Sequence, residues 1–150
     1  MDNIGDFIEI NTSVERGLVL INIRLLDAEI TKLRALKMTD QMKKLFVDLN
    51  DNRIKSFVMT FDISNLQIVQ KEYIEDVIEL FKSSKPLFRN KLKCSCVIMN
   101  SIIAIPMKMI LSKFYEPIKP LFICADHDEC KKYIFMDENT SEFKDSRFIN

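Results

Sequence analysis

Apolar residues along this chain fall into short continuous runs separated by stretches of helical spacing. The clearest run is Ile54–Phe61, which stops on Asp62. Leu92–Met99 stops on Asn100 in the same way, and Leu121–Cys124 stops near Asp126. Runs this rich in apolar residues, broken only by Lys55, Ser56, Thr60, Lys93 and Ser95, read as strands buried on both faces, as strands of a parallel sheet are. The three runs therefore predict βα units around a mostly parallel sheet, with loops at the strand C-terminal ends. Ahead of them, Phe7–Asn11 alternates as a strand should, and Leu18–Leu25 reads as its return strand. Ser13–Gly17 is the expected turn of this opening antiparallel hairpin, because Gly17 can adopt a positive φ without steric cost.

The spacers carry the helices. Met42, Leu45, Phe46 and Leu49 follow i, i+3, i+4, i+7 spacing, which predicts a helix capped by Thr39 or Asp40. The preceding piece, Asp27–Met38, reads as a separate short helix. Gln70–Ser83 is predicted helical, with Tyr73, Ile74, Val77, Ile78, Leu80 and Phe81 inward. Ile103–Tyr115 follows the second buried run, with Pro106 expected in its first turn, where a missing N–H is harmless. Asp128–Phe135 closes the set, capped by Asp126 or Asp128. The expectation is one α/β domain over residues 1–136 with a mixed, mostly parallel five-stranded sheet, an N-terminal hairpin and interleaved helices. A polar tail, Asp137–Asn150, follows, with Phe143, Phe148 and Ile149 as lone apolar residues.

Composition removes several function classes. The chain has 150 residues, 22 Lys plus Arg against 22 Asp plus Glu, and a formal net charge of zero. Nucleic-acid binding normally draws on a cationic surplus or stripe; the nearest approach, Lys82–Lys93, reads as a solvated helix end and loop, so no nucleic-acid partner is expected. No segment reaches the roughly 18–20 apolar residues of a membrane span. The N-terminal MDNIGDFIEI has neither a basic region nor an apolar signal core, so an intracellular location is expected. Heavy use of Ile, Lys and Asn suggests an AT-rich genome, such as that of a large DNA virus, a protist or a low-GC bacterium. With only Gly5 and Gly17, the chain has no glycine-rich loop to close on a pyrophosphate, which argues against dinucleotide binding and P-loop NTPase activity. No cofactor is expected.

The order β-β-α-β-α-β-α-β-α resembles the STAS fold, the domain of bacterial anti-sigma-factor antagonists and sulfate-transporter tails. Four places carry the resemblance, over residues 7–135: the opening hairpin; the strand ending in Asp62-Ile63-Ser64, like the family's D-[LI]-S element; the strand ending at Asn100; and the short Phe122–Cys124 strand followed at once by a terminal helix. The resemblance implies docking to a protein partner without catalysis. The chain departs from the regulatory members where their D-S-x-G element carries a phosphorylated Ser or Thr. The corresponding Leu66–Lys71 contains no Ser, Thr or Gly, and Ser64 lies earlier, in the strand-end turn.

Few groups suggest chemistry. His127, the one histidine, stands between Asp126 and Asp128; neighbours in sequence do not face one another on a helix, so an exposed helix-start residue is the expected reading rather than a general base. Cys124-x-x-His127-x-x-Cys130 offers three soft ligands of the kind zinc takes, while Cys94 and Cys96 share a strand face and read as small core hydrophobes. Zinc through Cys124, His127 and Cys130 ranks as the lesser alternative. Glu72, Asp76 and Glu79 form a solvated helix face. Asp62, Ser64, Asn100 and Asp126 mark the strand ends, where α/β sheets bind ligands. Asp62 is the best polar candidate, with capping of its own turn through the Ser64 or Asn65 N–H as the expected role.

The most suggestive feature is apolar. Ile102–Leu111, IIAIPMKMIL, is interrupted only by Lys108. Ile103, Met107, Ile110 and Phe114 form the stripe expected to pack on the sheet, whereas Ile102, Ile105 and Met109 point elsewhere. Either the helix is buried all round or one side is a contact surface. With Tyr115, the residues Ile102, Ile105 and Met109 make the expected interaction surface, covered by a second copy, a protein partner or the chain's own tail. A non-catalytic interaction module, a component or regulator of a larger and possibly virion-associated assembly, is the first reading. A small-molecule or lipid-binding domain with a pocket near Asp62, Asn100 and Asp126 is the second.

Overall fold

The computed structural model describes residues 8–144. Phe7, Phe148 and Ile149, to which the sequence pattern assigns apolar roles, lie outside them. The chain runs β1 (Ile8–Glu15), β2 (Leu18–Leu25), α1 (Lys32–Leu49), β3 (Phe57–Asp62), α2 (Lys71–Ser83), α3 (Lys85–Lys91), β4 (Leu92–Ile98), α4 (Ser101–Phe114), β5 (Leu121–Cys124), α5 (His127–Ile134) and α6 (Ser141–Lys144). The five strands form one mixed sheet in sequential order. β1 and β2 are antiparallel; every later pairing is parallel. This is the predicted α/β architecture.

Alternation along the strands divides the core into two layers. Phe57 and Met59 of β3, Val97 of β4 and Leu121 and Ile123 of β5 face α1, α2 and α4, whose Met42, Phe46, Ile78, Ile103 and Met107 complete that layer. Val58, Cys94, Cys96, Ile98, Phe122 and Cys124 face the other way, under Cys130, Tyr133 and Ile134 of α5 and Phe143 of α6. Phe81 and Phe88 meet Phe46 at ring separations of 6.1 and 5.3 Å in the first layer. In the second, Phe122 stacks on Tyr133 at 4.3 Å.

Several local expectations are corrected. The hairpin turn is Arg16–Gly17, with φ of 53° and 80°; both residues are left-handed, as a two-residue primed turn requires, and β1 extends to Glu15. Helix α1 is continuous from Lys32 to Leu49 and capped by Thr31, whose Oγ1 accepts from Arg34 N at 3.3 Å. Thr39 sits mid-helix and donates its hydroxyl back to the carbonyls of Ala35 and Leu36, so its side chain satisfies itself locally and no helix start is needed there. The stretch after α2 is not all loop, since Lys85–Lys91 forms α3 with Pro86 in its first turn. Pro106 lies in the interior of α4, because Asn100 caps that helix two residues earlier than the apolar pattern suggests. The inward stripe of α4 is Ile103, Met107 and Leu111, with Ile110 and Phe114 only partly buried.

The lysine-rich stretch serves the fold. Lys91 Nζ donates to the carbonyls of Leu49 (3.1 Å) and Asp51 (2.7 Å) at the end of α1. Lys93 Nζ donates to those of Ile134 (2.6 Å) and Met136 (3.2 Å) at the end of α5. Both place a cation at the carbonyl end of a helix, where the macrodipole favours positive charge.

Candidate functional site

The sheet register gathers the predicted polar residues on one rim. Asp62 pairs with Ile98, and Ile98 with Cys124, so the strand-end loops of β3, β4 and β5 leave side by side. Asp62 is buried at 7% exposure. Its Oδ1 accepts from Ser64 N (3.1 Å) and Ser64 Oγ (2.6 Å), the self-capped turn expected from the sequence. Its Oδ2 lies 3.1 Å from Nε2 of His127. Burial pushes the Asp62 carboxyl up, but the hydroxyl and N–H of Ser64 together with His127 outweigh it and hold the group below the ordinary carboxylate range.

Asn100 ties two loops together. Its Oδ1 accepts from the backbone N–H groups of Ile102 (2.8 Å) and Ile103 (3.1 Å) at the start of α4. Its Nδ2 donates to the carbonyls of Ser64 and Leu66, both at 2.7 Å. Asp126 caps α5 by accepting from Glu129 N at 2.9 Å. Asp62, Asn100 and Asp126 thus act as turn and helix caps on the same rim, with Ser64 donating to Asp62.

His127 is half exposed, with 51% of its side chain open to solvent. Nothing in its sequence surroundings indicates the contact with Asp62, which is 65 positions away; only the adjacency of β3, β4 and β5 creates it. The order along the hydrogen bonds is Ser64, Asp62, His127, with the carboxylate in the middle. The Ser64 hydroxyl donates to Asp62 rather than to the imidazole, so no base is aimed at it, and the nucleophile–base contact of acyl-transfer chemistry is missing from this trio.

His127 is also turned away from the cysteines. The sulfurs that converge are those of Cys96, Cys124 and Cys130, all within 4.8 Å of one another and all buried. The expected set of Cys124, His127 and Cys130 is corrected accordingly: Cys130 lies one helical turn beyond His127, and its sulfur reaches the sheet face that Cys96 shares with Cys124. The period of two along β4 and the adjacency of β4 and β5 were the signals for Cys96.

On α4, Ile102, Ile105 and Met109 are exposed at 66%, 72% and 68%. Tyr115, assigned from sequence to the same surface, packs instead against the inner layer, its ring 6.1 Å from Phe81. Burial pushes its phenol up to about 12. The described part of the tail lies elsewhere: Phe143 is buried on the α5 side of the sheet, 5.6 Å from Phe122. An apolar cavity of about 100 Å³ lies between the sheet and α1, α2 and α4, lined by Ile23, Phe61, Ile78, Phe81, Met107 and Tyr115 among others. Asp62, Asn100 and Asp126 do not line it. Among the described residues no helix is long and apolar enough to cross a membrane. No protein-family model matches this sequence, and no curated protein matches it.

Proposed function

We propose that this protein is a non-catalytic docking module that engages a protein partner, or a second copy of itself, through the outer face of α4. The observation that carries the reading is the exposure of Ile102, Ile105 and Met109. They stand at i, i+3 and i+7 and so line one face of the helix. Full burial of each such side chain is worth roughly 1.5–3 kcal/mol, which makes three together a substantial reserve for association. Methionine adds an adaptable surface. The polar rim supports the same reading, because its residues are engaged in capping and no base faces Ser64. The resemblance to STAS domains, which dock to partners without catalysis, points the same way, and a component of a larger intracellular assembly, such as a viral particle, fits it.

The cavity weighs against the small-ligand alternative. Ligand pockets commonly measure about 300–1,000 Å³, and this one is far smaller and walled by the domain's own core.

The test is the double variant Ile105→Glu, Met109→Glu. It should keep the wild-type unfolding transition and lose association, read as mass by sedimentation and as capture by a photo-crosslinker placed at Ile102. Loss of folding in the double variant would return those side chains to the domain's own core. Unchanged association would move the docking surface elsewhere.

A further inference from the structure

The second core layer contains a convergence of sulfur that packing alone does not require. Cys96 comes from the middle of β4, Cys124 from the end of β5 and Cys130 from α5. Cys96 pairs with Phe122 and Ile98 with Cys124, so Cys96 and Cys124 are diagonal neighbours on one sheet face, and α5 lowers Cys130 onto both. Three separate elements thus aim one sulfur each at a common point, within 4.8 Å of one another. A metal about 2.3 Å from three coplanar sulfurs would set them about 4 Å apart. The trio reaches that spacing by a contraction of less than an ångström.

We propose that Cys96, Cys124 and Cys130 form a three-coordinate thiolate site for a soft monovalent cation, cuprous copper. The donor set is sulfur alone, and thiolates select soft ions. Zinc in structural sites takes four ligands, and among the described residues only three converge here. His127 is turned to Asp62, Cys94 hydrogen-bonds Cys96 but lies outside the trio, and the surrounding side chains are Val58, Ile98, Phe122, Ile134 and Phe143, all apolar, with the ring of Tyr133.

Binding leaves copper as Cu(I) throughout, and the thiol protons it displaces from the three cysteines go to solvent.

The site is tested by anaerobic titration of the reduced full chain with Cu(I), supplied as its acetonitrile complex against a colorimetric Cu(I) chelator. One Cu(I) per chain is expected, with a new sulfur-to-copper absorption in the near ultraviolet. Cys124→Ala and Cys130→Ala should each weaken binding by more than the roughly 10–100-fold that loss of a merely supporting contact costs, while Cys94→Ala, which removes only a thiol beside Cys96, costs no more than that. Copper uptake retained in both variants, or no uptake by the wild type, overturns the proposal and leaves the sulfurs as small core hydrophobes. Should the variants fail to fold, X-ray absorption at the copper edge of the loaded wild type decides. Three sulfurs support the site; two sulfurs, or any nitrogen or oxygen ligand, overturn it. Tighter binding of Zn(II) than of Cu(I) in the same titration also overturns it.

Discussion

Asp62 and His127 share a contact but not its importance. Asp62 is buried and satisfies two donors of Ser64; Asp62→Ala leaves them without their partner, at a cost of about 1–3 kcal/mol. His127 is half exposed, and His127→Ala removes a solvent-facing pairing worth about 0–1 kcal/mol. Urea denaturation of the two variants should give this order, and equal losses would mean that the imidazole, rather than Ser64, anchors the carboxylate. The pH dependence follows from the depressed folded-state value of Asp62. A carboxyl held down by folding contributes stability above its unfolded value of about 3.9 and loses it as pH falls through the folded value. The advantage of wild type over Asp62→Asn should therefore be full at neutral pH and shrink below about pH 4.

Asn100 is the second residue on which the rim depends. Loss of its cap costs about 1 kcal/mol, and two loop carbonyls, those of Ser64 and Leu66, lose their donor as well. Asn100→Ala should cost about 2–4 kcal/mol. Asn100→Asp keeps the cap but sets a carboxylate against those carbonyls, so it should rescue little. Full rescue by Asp in thermal denaturation would show that capping alone matters. Tyr115 provides a check at high pH. Its raised value of about 12 means that stability is complete below the unfolded value of about 10 and falls as pH rises towards 12. Tyr115→Phe should lack that alkaline loss.

At the scale of elements, α4 carries a cost within itself. Pro106 stands in the helix interior, where it removes the N–H that would reach the carbonyl of Ile102 and crowds that carbonyl. The helix forms nonetheless, because Asn100 caps it and Ile103, Met107 and Leu111 bury its inner face. Pro106→Ala should stabilise the isolated domain by about 1–3 kcal/mol in denaturant titration; a destabilisation would mean that the ring's own packing outweighs the missing hydrogen bond. Apolar periodicity located α2 and α4 closely. It misplaced the start of α1, because Thr39 carries the cap signal of an N-terminal Thr but spends its hydroxyl inside the helix. It passed over α3, whose seven residues are too short to show a period.

For the whole molecule, the sheet is a divider with unequal coverage: α1, α2 and α4 on one side, α5 and α6 on the other. The second layer depends on residues late in the chain. Phe143 touches Phe122, and Lys93 closes α5 from below. Phe143→Ala should cost about 3 kcal/mol, at the low end for a buried phenylalanine. A loss within the roughly 0.5 kcal/mol typical of surface positions would mark 137–144 as a detached tail.

Some of this was determined by sequence alone. Strongly apolar runs require burial on both faces, and burial on both faces requires helices between parallel strands. The α/β class and the approximate strand positions follow from that local logic, whereas the exposure of the outer face of α4, which the pattern left open between a buried helix and a contact surface, was decided by packing. Which polar and sulfur groups meet was decided only by tertiary structure. Asp62 and His127, or Cys96 and Cys130, are brought together by the register of three adjacent strands and by the rotation of α5 about its axis. A sequence period states which face a residue lies on, but contact also needs the position of the neighbouring element, and that is fixed by the packing of the whole core.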